Sequence, residues 1–341
     1  MDSAAPDERP LPIWLARVED RLHRWRERRG RRRGLVTTII PYTGYGAPGW
    51  VRVLCRVVLT RGDQAARERA AKVRGWRSFF SIPVHDAHVL VRIDGEDHAV
   101  RPDRGGVLDV RLSAQLAPGW HTIGLRTAGT EEVFARVFVV DPAARFGIVS
   151  DIDDTVMVTA LPRPLLAAWN TFVLDEHART PVPGMAVLYD RLTREHPGAP
   201  IIYLSTGAWN VAPTLRRFLS RNLYPEGAML LTDWGPTRDR WFRSGQEHKR
   251  TSLERLAAEF PELRWLLIGD DGQHDEEIYG TFARAHPANV AAIAIRRLAP
   301  AEAVLAGGRS RTDEEVPVPW YSAPHGAGLA KELAGAGLLT E

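Results

Sequence analysis

Three apolar runs in the second half of this 341-residue chain end on oxygen-bearing side chains. "FGIVS" runs into Asp151, Asp153 and Asp154, "PIIYL" into Ser205 and Thr206, and "RWLLIG" into Asp270 and Asp271, with Asp275 close behind. In extended backbone, side chains at i and i+2 point the same way. Asp151 and Asp153 can therefore share a site, while Asp154 should point elsewhere. Carboxylates this close repel one another unless a cation sits between them. Clustered oxygens suit Mg²⁺, a hard cation usually held by a few carboxylates together with a substrate's phosphate. Such an ion would offset the repulsion and leave one of these aspartates ionised as a nucleophile.

Each residue has a plainer use. Aspartates at strand ends serve as turns or helix N-caps. Ser205 could cap a helix beginning near Asn210, and Asp275 could cap "EEIYGTFARAH". Lys249 could lie on a solvated helix face, and Asp271 reads as a turn residue. One acidic strand end would be weak evidence of a site. Three at the edge of one sheet are much stronger, because ligands of open α/β sheets bind at the carboxyl ends of the strands.

The elements that would position these residues follow from the hydrophobic pattern. "FGIVS", "PIIYLS", "RWLLIG" and "VAAIAI" are apolar throughout, as strands buried on both faces of a parallel sheet are. Helical periodicity fills "GMAVLYDRLTREH", "VAPTLRRFLSRNL", "KRTSLERLAAEF" and "DEEIYGTFARAH", and "GAGLAKELAGAGLL" reads as a last helix. This alternation predicts a doubly wound α/β domain over residues 143–341. Residues 35–142 differ. "VRVLCRVVL", "HVLVRID", "VLDVRL", "HTIGLRT" and "EEVFARVFVV" are short β-rich runs divided by turn residues, which predicts an all-β, sandwich-like domain. A charged, helix-compatible stretch from Arg61 to Arg77 interrupts them, and "HDAH" (His85–His88) reads as surface.

Residues 1–34 form a third region. The first 11 are charged and proline-rich, a composition that predicts disorder. Trp14, Leu15, Val18, Leu22 and Trp25 then recur at helical spacing. Between Pro12 and Arg33 lie nine arginines against Glu19, Asp20 and Glu27, a local charge of +6 in a chain whose formal net charge is +3. The remainder is therefore about −3 and does not share that preference. Two readings of this basic amphipathic arm stay open: attachment to an anionic membrane surface, or a helix docked on its own domain with the arginines outward. Nucleic acid is the weaker third. Cys55 is the only cysteine, so an intrachain disulfide or a Cys-based zinc site is excluded. No run approaches the roughly 20 apolar residues of a membrane span, and no N-terminal stretch has the length of a signal peptide. A cytoplasmic protein, or one resting peripherally on a membrane, is expected.

"DIDDT", "YLST", "HK" and "GDDGQHD" resemble, in order, the four motifs of haloacid-dehalogenase (HAD) superfamily phosphatases. More narrowly, "DIDDTV…VPGM…YLSTGAWN…HK…FPELRWLLIGDDGQHDEEIY" is similar to the App1-type phosphatidate phosphatase family (DUF2183), from about Arg145 to Ile295. The resemblance implies an HAD-like fold, Mg²⁺ as cofactor and an aspartyl-phosphate intermediate. It implies Asp151 as nucleophile, Asp153 as general acid then base, Ser205 on the phosphoryl oxygens and Lys249 neutralising charge. Asp151, Asp270 and the backbone carbonyl of Asp153 would hold Mg²⁺, with Asp275 in or just behind that shell. Thr206 competes with Ser205 for the second motif. Trp209 and Asn210 could line the substrate entrance, a core tryptophan being the alternative. Arg179, Arg238, Arg240, Arg243 and His248 could meet an anionic headgroup, with scattered surface arginines as the default.

The expected substrate is a lipid phosphate such as phosphatidate, yielding diacylglycerol. About 50 residues separate the first two motifs, too few for a large cap, and an open site would admit a headgroup. The rivals are a phosphatase for a phosphoprotein or another ester, a dehalogenase, and a non-catalytic protein binding anionic lipid or nucleic acid through its arm. Asp153 argues against the dehalogenase, because that chemistry needs no acid for a leaving oxygen.

Overall fold

The computed structural model describes residues 13–61, 81–84, 86–158, 180–232, 238–272, 274–305 and 315–340. For 13–20, 22–23, 238–244, 301 and 304–305 it describes backbone only. The expectations for residues 1–11, Arg61–Arg77, His85 and Arg179 fall outside the described residues, wholly or nearly so. So do the side chains of Arg238, Arg240 and Arg243.

Helix α1 (Ile13–Arg32) leads into strands β1 (Leu35–Pro41), β2 (Gly44–Ala47), β3 (Gly49–Arg61), β4 (Ile82–Pro83), β5 (Val89–Ile93), β6 (Glu96–Val100), β7 (Val107–Ala114), β8 (Gly119–Thr127) and β9 (Val133–Val139). They form one sheet with the path β1-β3-β2-β9-β8-β5-β6, while β4 and β7 pair with β3. The long β3 carries the pattern that organises it. Val51, Val53, Cys55, Val57 and Leu59 point to one side, into a core shared with Val89, Val91, Ile123, Leu125, Val137 and Val139. The curled sheet thus closes over its own apolar face. From the other side of β3, Trp50 and Leu54 join the second core of the molecule. Strands β5 and β6 meet at Asp94-Gly95, both with positive φ (49° and 86°), which is the backbone a two-residue hairpin turn demands.

The last turn of α1 is docked. Gly30 is buried, and a Cβ there would lie 2.9 Å from the Ile82 Cδ1 methyl and 3.1 Å from that of Leu59, so any larger residue would have to push these side-chain tips aside. Upstream, Arg21, Arg24, Trp25, Arg26, Arg28 and Arg29 are exposed. Among the described residues, no helix is long and apolar enough to cross a membrane.

The second half alternates strand and helix. It comprises β10 (Phe146–Ser150), β11 (Met157–Val158), β12 (Thr180–Pro181), α2 (Met185–Glu195), β13 (Ile201–Ala208), α3 (Ala212–Arg221), β14 (Ala228–Thr232), α4 (Arg238–Glu259), β15 (Arg264–Asp270), α5 (Asp275–Ala285), β16 (Val290–Arg296), α6 (Pro300–Leu305), β17 (Trp320–Ala323) and α7 (Gly326–Gly335). Strands β11 and β12 pair as a small antiparallel ribbon. The other six form a parallel sheet in the order β14-β13-β10-β15-β16-β17. Counted along the chain, the order is 3-2-1-4-5-6, so winding reverses between β10 and β15. Apolar stripes on the helices cover the sheet: in α2 the buried residues are Met185, Leu188, Tyr189 and Leu192, the i, i+3, i+4, i+7 face of a helix. The expected parallel α/β architecture and the β-rich half before it are both present. Strands β14 and β17 come in addition to the four apolar runs recognised as strands.

The two halves share a packed seam. Tyr45, Trp50 and Phe260 cluster with ring centroids 5.4–6.1 Å apart. Around them Arg52 Nε donates to Glu259 Oε1 (3.1 Å), Tyr45 Oη to Glu259 Oε2 (2.8 Å) and Arg255 Nη1 to Asp109 Oδ2 (2.8 Å).

Candidate active site

The reversal point between β10 and β15 is where an open α/β sheet offers a crevice to ligands. Asp151 directly follows β10, and Asp270 ends β15. A carboxylate oxygen from each of Asp151, Asp270 and Asp275 lies within 4.8 Å of the others, and all three residues are buried. Gly269 makes room for this: a Cβ there would sit 2.6 Å from Asp275 Oδ2. From α4, the fully covered Lys249 reaches in. Its Nζ donates to Asp151 Oδ1 and to Asp275 Oδ1, both at 2.6 Å. The solvated-face alternative for Lys249 is thereby overturned, since the residue is only 2% exposed.

Asp153 and Ser205 form a second pair beside the first. Ser205 Oγ donates to Asp153 Oδ2 and accepts from the Gly207 amide, both at 2.9 Å. Ser205 is therefore not a helix cap: the 3₁₀ turn at Trp209–Val211 begins without a side-chain cap. Asp154 has φ +56°, a left-handed conformation that costs a non-glycine residue roughly 1–2 kcal/mol. It is nonetheless buried at the foot of the loop.

The electrostatics of the cluster are unbalanced. Among the described residues, three carboxylates face one ammonium, an excess of two negative charges without solvent to spread them. Burial pushes the Asp151 carboxyl well above its ordinary range, opposed by Lys249 and reinforced by Asp275 and Asp153. Burial also raises Asp270, with Asp275 and Asp151 adding to it. Burial works against the Lys249 ammonium, but Asp151 and Asp275 outweigh it and hold that group above its usual range. Asp151 Oδ2 and Asp270 Oδ2 are buried and accept no hydrogen bond. Two orphaned oxygens and two surplus charges fit a divalent hard cation. Asp275 has its Oδ1 taken by Lys249 and its Oδ2 facing the Asp270 amide at 3.4 Å. That suits a place behind the ion better than on it.

Other expected residues stand further off. Trp209 is 5% exposed and stacks on Tyr42, centroids 4.9 Å apart, while its carbonyl accepts from Tyr42 Oη at 3.1 Å. It fills the seam between the halves rather than lining an entrance, because an aromatic partner from the loop after β1 covers it. Asn210 is half-buried in the same turn. Thr206 packs against α4, where a Cβ at Gly245 would lie 3.0 Å from its Cγ2, and its carbonyl accepts from Thr232 Oγ1 at 2.9 Å. His248 is held neutral: burial lowers its pKa to about 4, so it supplies no cation to a headgroup. His88 is exposed beside Arg101. Asp271 is no ordinary turn residue. It is buried, and its Oδ1 accepts the Leu298 amide at 2.7 Å. Sequence reasoning passed over Arg296, which donates to the Asp154 carbonyl at 2.6 Å; only its position at the end of an apolar strand hinted at a site role. A groove of about 1130 Å³ lies elsewhere, along Tyr42, Phe134, Arg136, Val187, Arg217 and Leu223, and holds none of the cluster.

Fold and cluster together define an open α/β protein with a buried carboxylate–lysine cluster at the switch point of its sheet. Residues 146–297 match the family described as phosphatidate phosphatase APP1, catalytic domain. That segment of the chain is thus similar to the catalytic domain of the App1 family. It is 24% identical over 199 residues to phosphatidate phosphatase APP1 of Saccharomyces cerevisiae, covering 57% of this chain and 34% of the yeast protein. It is 26% identical over 151 residues to an uncharacterised protein of Schizosaccharomyces pombe, covering 44% of this chain and 24% of that one. The chain thus spans about a third or less of the length of these relatives. Among solved structures, a carbohydrate acetylesterase from Xanthomonas citri aligns at 13% identity over 77% of this chain and 68% of its own, with a TM-score of only 0.30.

Proposed function

We propose that this chain is a Mg²⁺-dependent phosphatase of HAD type that hydrolyses a lipid phosphate, phosphatidate being the favoured substrate. The carrying observation is the convergence of Asp151, Asp270, Asp275 and Lys249 at the switch point with two negative charges uncompensated. The 3-2-1-4-5-6 strand order, with Asp151 immediately after the central first strand, supports the HAD-like assignment. The yeast relative's name supports the choice of substrate.

Asp151 and Asp270, with the backbone carbonyl of Asp153, would hold Mg²⁺, and Asp275 would stand behind them. When bound, the ion offsets the carboxylate charge and that of the incoming phosphoryl group. Asp151 attacks phosphorus through one of its carboxylate oxygens, the other being left to the cation. The bond from phosphorus to the ester oxygen breaks, and Asp153 gives that oxygen its proton, so the alcohol leaves neutral. Lys249 opposes the burial of the Asp151 carboxylate and would, with the cation, favour its ionised form and screen the aspartyl-phosphate. Asp153, now a carboxylate, takes a proton from water as that water attacks phosphorus. Inorganic phosphate leaves and Asp151 is restored. Ser205, fixed by the Gly207 amide, orients Asp153 and meets the phosphoryl oxygens. The exposed arginines and Trp25 of α1 would bring the enzyme to an anionic membrane.

The test is phosphate release from dioleoyl phosphatidate in mixed micelles, with and without Mg²⁺, comparing wild type with Asp151→Asn. Mg²⁺-dependent release that the variant lacks is expected. Release from water-soluble esters alone would remove the lipid substrate, and equal activity in Asp151→Asn would remove the enzyme mechanism.

A further inference from the structure

Arg296 ends β16 and is 4% exposed, yet it takes no part in the carboxylate cluster. Its guanidinium is shared between two elements. Nη1 donates to the carbonyl of Asp154 at 2.6 Å, and Nη2 donates to both Glu302 oxygens of α6, at 2.8 and 2.7 Å. Glu302 in turn accepts the Ala299 amide at 2.9 Å. The same turn grips the other acidic loop: the Arg296 carbonyl accepts the Asp271 amide at 3.1 Å, and the Leu298 amide donates to Asp271 Oδ1 at 2.7 Å. One segment, residues 296–302, is thus tied to the loop after β10 and to the loop after β15.

We infer that Arg296, set by Glu302, is a positioning residue for Asp153. The link is the backbone of Asp154. Its left-handed φ of +56° is an unfavourable conformation that persists only when surroundings over-determine it. The buried bond from Arg296 to the Asp154 carbonyl is such a surrounding. If that carbonyl swings, the adjoining Asp153 carboxylate turns with it, away from the ester oxygen of a phosphate seated on Asp151. A lysine could not replace the arginine, because it lacks the planar fork that serves Glu302 and the carbonyl together.

This inference rests on the reading of Asp153 as the proton donor, and the test separates the two. Dioleoyl phosphatidate is compared with an analogue whose bridging ester oxygen is sulfur, a leaving group that departs as thiolate without a proton. Arg296→Lys should slow phosphatidate turnover by about 30-fold and the sulfur analogue by less than about threefold, with KM little changed, as expected when general-acid help worth roughly 10²–10⁴-fold is partly lost. Glu302→Gln, which keeps the side chain's shape and one acceptor oxygen for Arg296, should give the same bias at about a third of its size and decides the matter if Arg296→Lys does not fold. Asp153→Asn should show the bias most strongly. Equal slowing of both substrates by Arg296→Lys and Glu302→Gln, or none, overturns the positioning role while Asp153→Asn remains biased. If Asp153→Asn shows no bias, the proton-donor reading falls and takes this inference with it. If wild type releases phosphate from neither ester, the lipid phosphatase reading itself is lost, and the inference with it.

Discussion

Two ionic clusters in this molecule, one partly exposed and one buried, obey the same electrostatics with opposite results. At the seam, Arg52 and Arg255 face Glu259 and Asp109, cation for anion. Burial pushes the Asp109 carboxyl upward, but Arg255 and Arg52 outweigh it and hold the group below its usual range. At the candidate active site, the single Lys249 faces three carboxylates, and Asp151 and Asp270 are raised well above theirs. Desolvation acts on both clusters. Charge balance decides its outcome: anions and cations match at the seam, while at the site carboxylates outnumber the ammonium. Removing a partner should therefore be harmful at the seam and nearly harmless to folding at the site.

The largest effect expected is on activity. Asp151→Asn should lower phosphatidate turnover by about three orders of magnitude or more, as loss of a covalent nucleophile does. In metal-free protein the same change should leave the melting temperature level or raise it, because one unbalanced buried charge is gone. A fall of several degrees would erase the contrast drawn between the clusters. Glu259→Ala should do the reverse. It takes from the half-buried Arg52 one of its two acidic partners, leaving Asp109, at a cost of about 1.5–3 kcal/mol in urea unfolding. Turnover per folded molecule should stay within about twofold.

Acid sharpens the comparison, through a group lying between the clusters. His248, on α4, has Arg255 and Lys249 beside it on the same helix, Asp109 of β7 facing it, and the Leu230 backbone of β14 as its hydrogen-bond partner. Its pKa falls from 6.5 to about 4, chiefly through burial. The unfolded chain binds this proton more readily than the native state. Stability contributed by neutral His248 is therefore present above pH 6.5 and lost as pH falls towards 4. By linkage the loss approaches about 3 kcal/mol. His248→Asn should flatten the urea midpoint between pH 6.5 and 4, and an unchanged slope there would mean the ring is not desolvated as described.

What could be read from the chain was whatever depends on local pattern. Runs such as "RWLLIG" declare a strand buried on both faces, and the aspartates or hydroxyls behind three of them declare the edge. Strand β17, "WYSA", is four residues long and half-buried, too short to carry a period. The apolar run in β14, "AMLLT", is equally compatible with a buried turn of helix. Long-range partners left no local trace. Nothing near Trp209 announces Tyr42, 167 residues earlier. Nothing near Asp154 announces Arg296, 142 residues later. Types and spacing thus locate the site, while the groups that brace it become visible only when the sheet is assembled.

Trp209 gives the smallest of these tests. It follows the second motif directly, yet its ring lies against Tyr42 at the seam. If it belongs to the seam, loosening it should cost stability and spare chemistry. Tyr42→Phe keeps the stacked ring and removes one hydroxyl, leaving the Trp209 carbonyl without that donor. A buried acceptor so stranded costs about 1–3 kcal/mol, and the low end is expected where the ring contact survives. The urea midpoint should fall accordingly, with kcat and KM for phosphatidate unchanged. A rise in KM with stability intact would place Trp209 with the substrate instead, and would move the boundary between seam and site by one turn of chain.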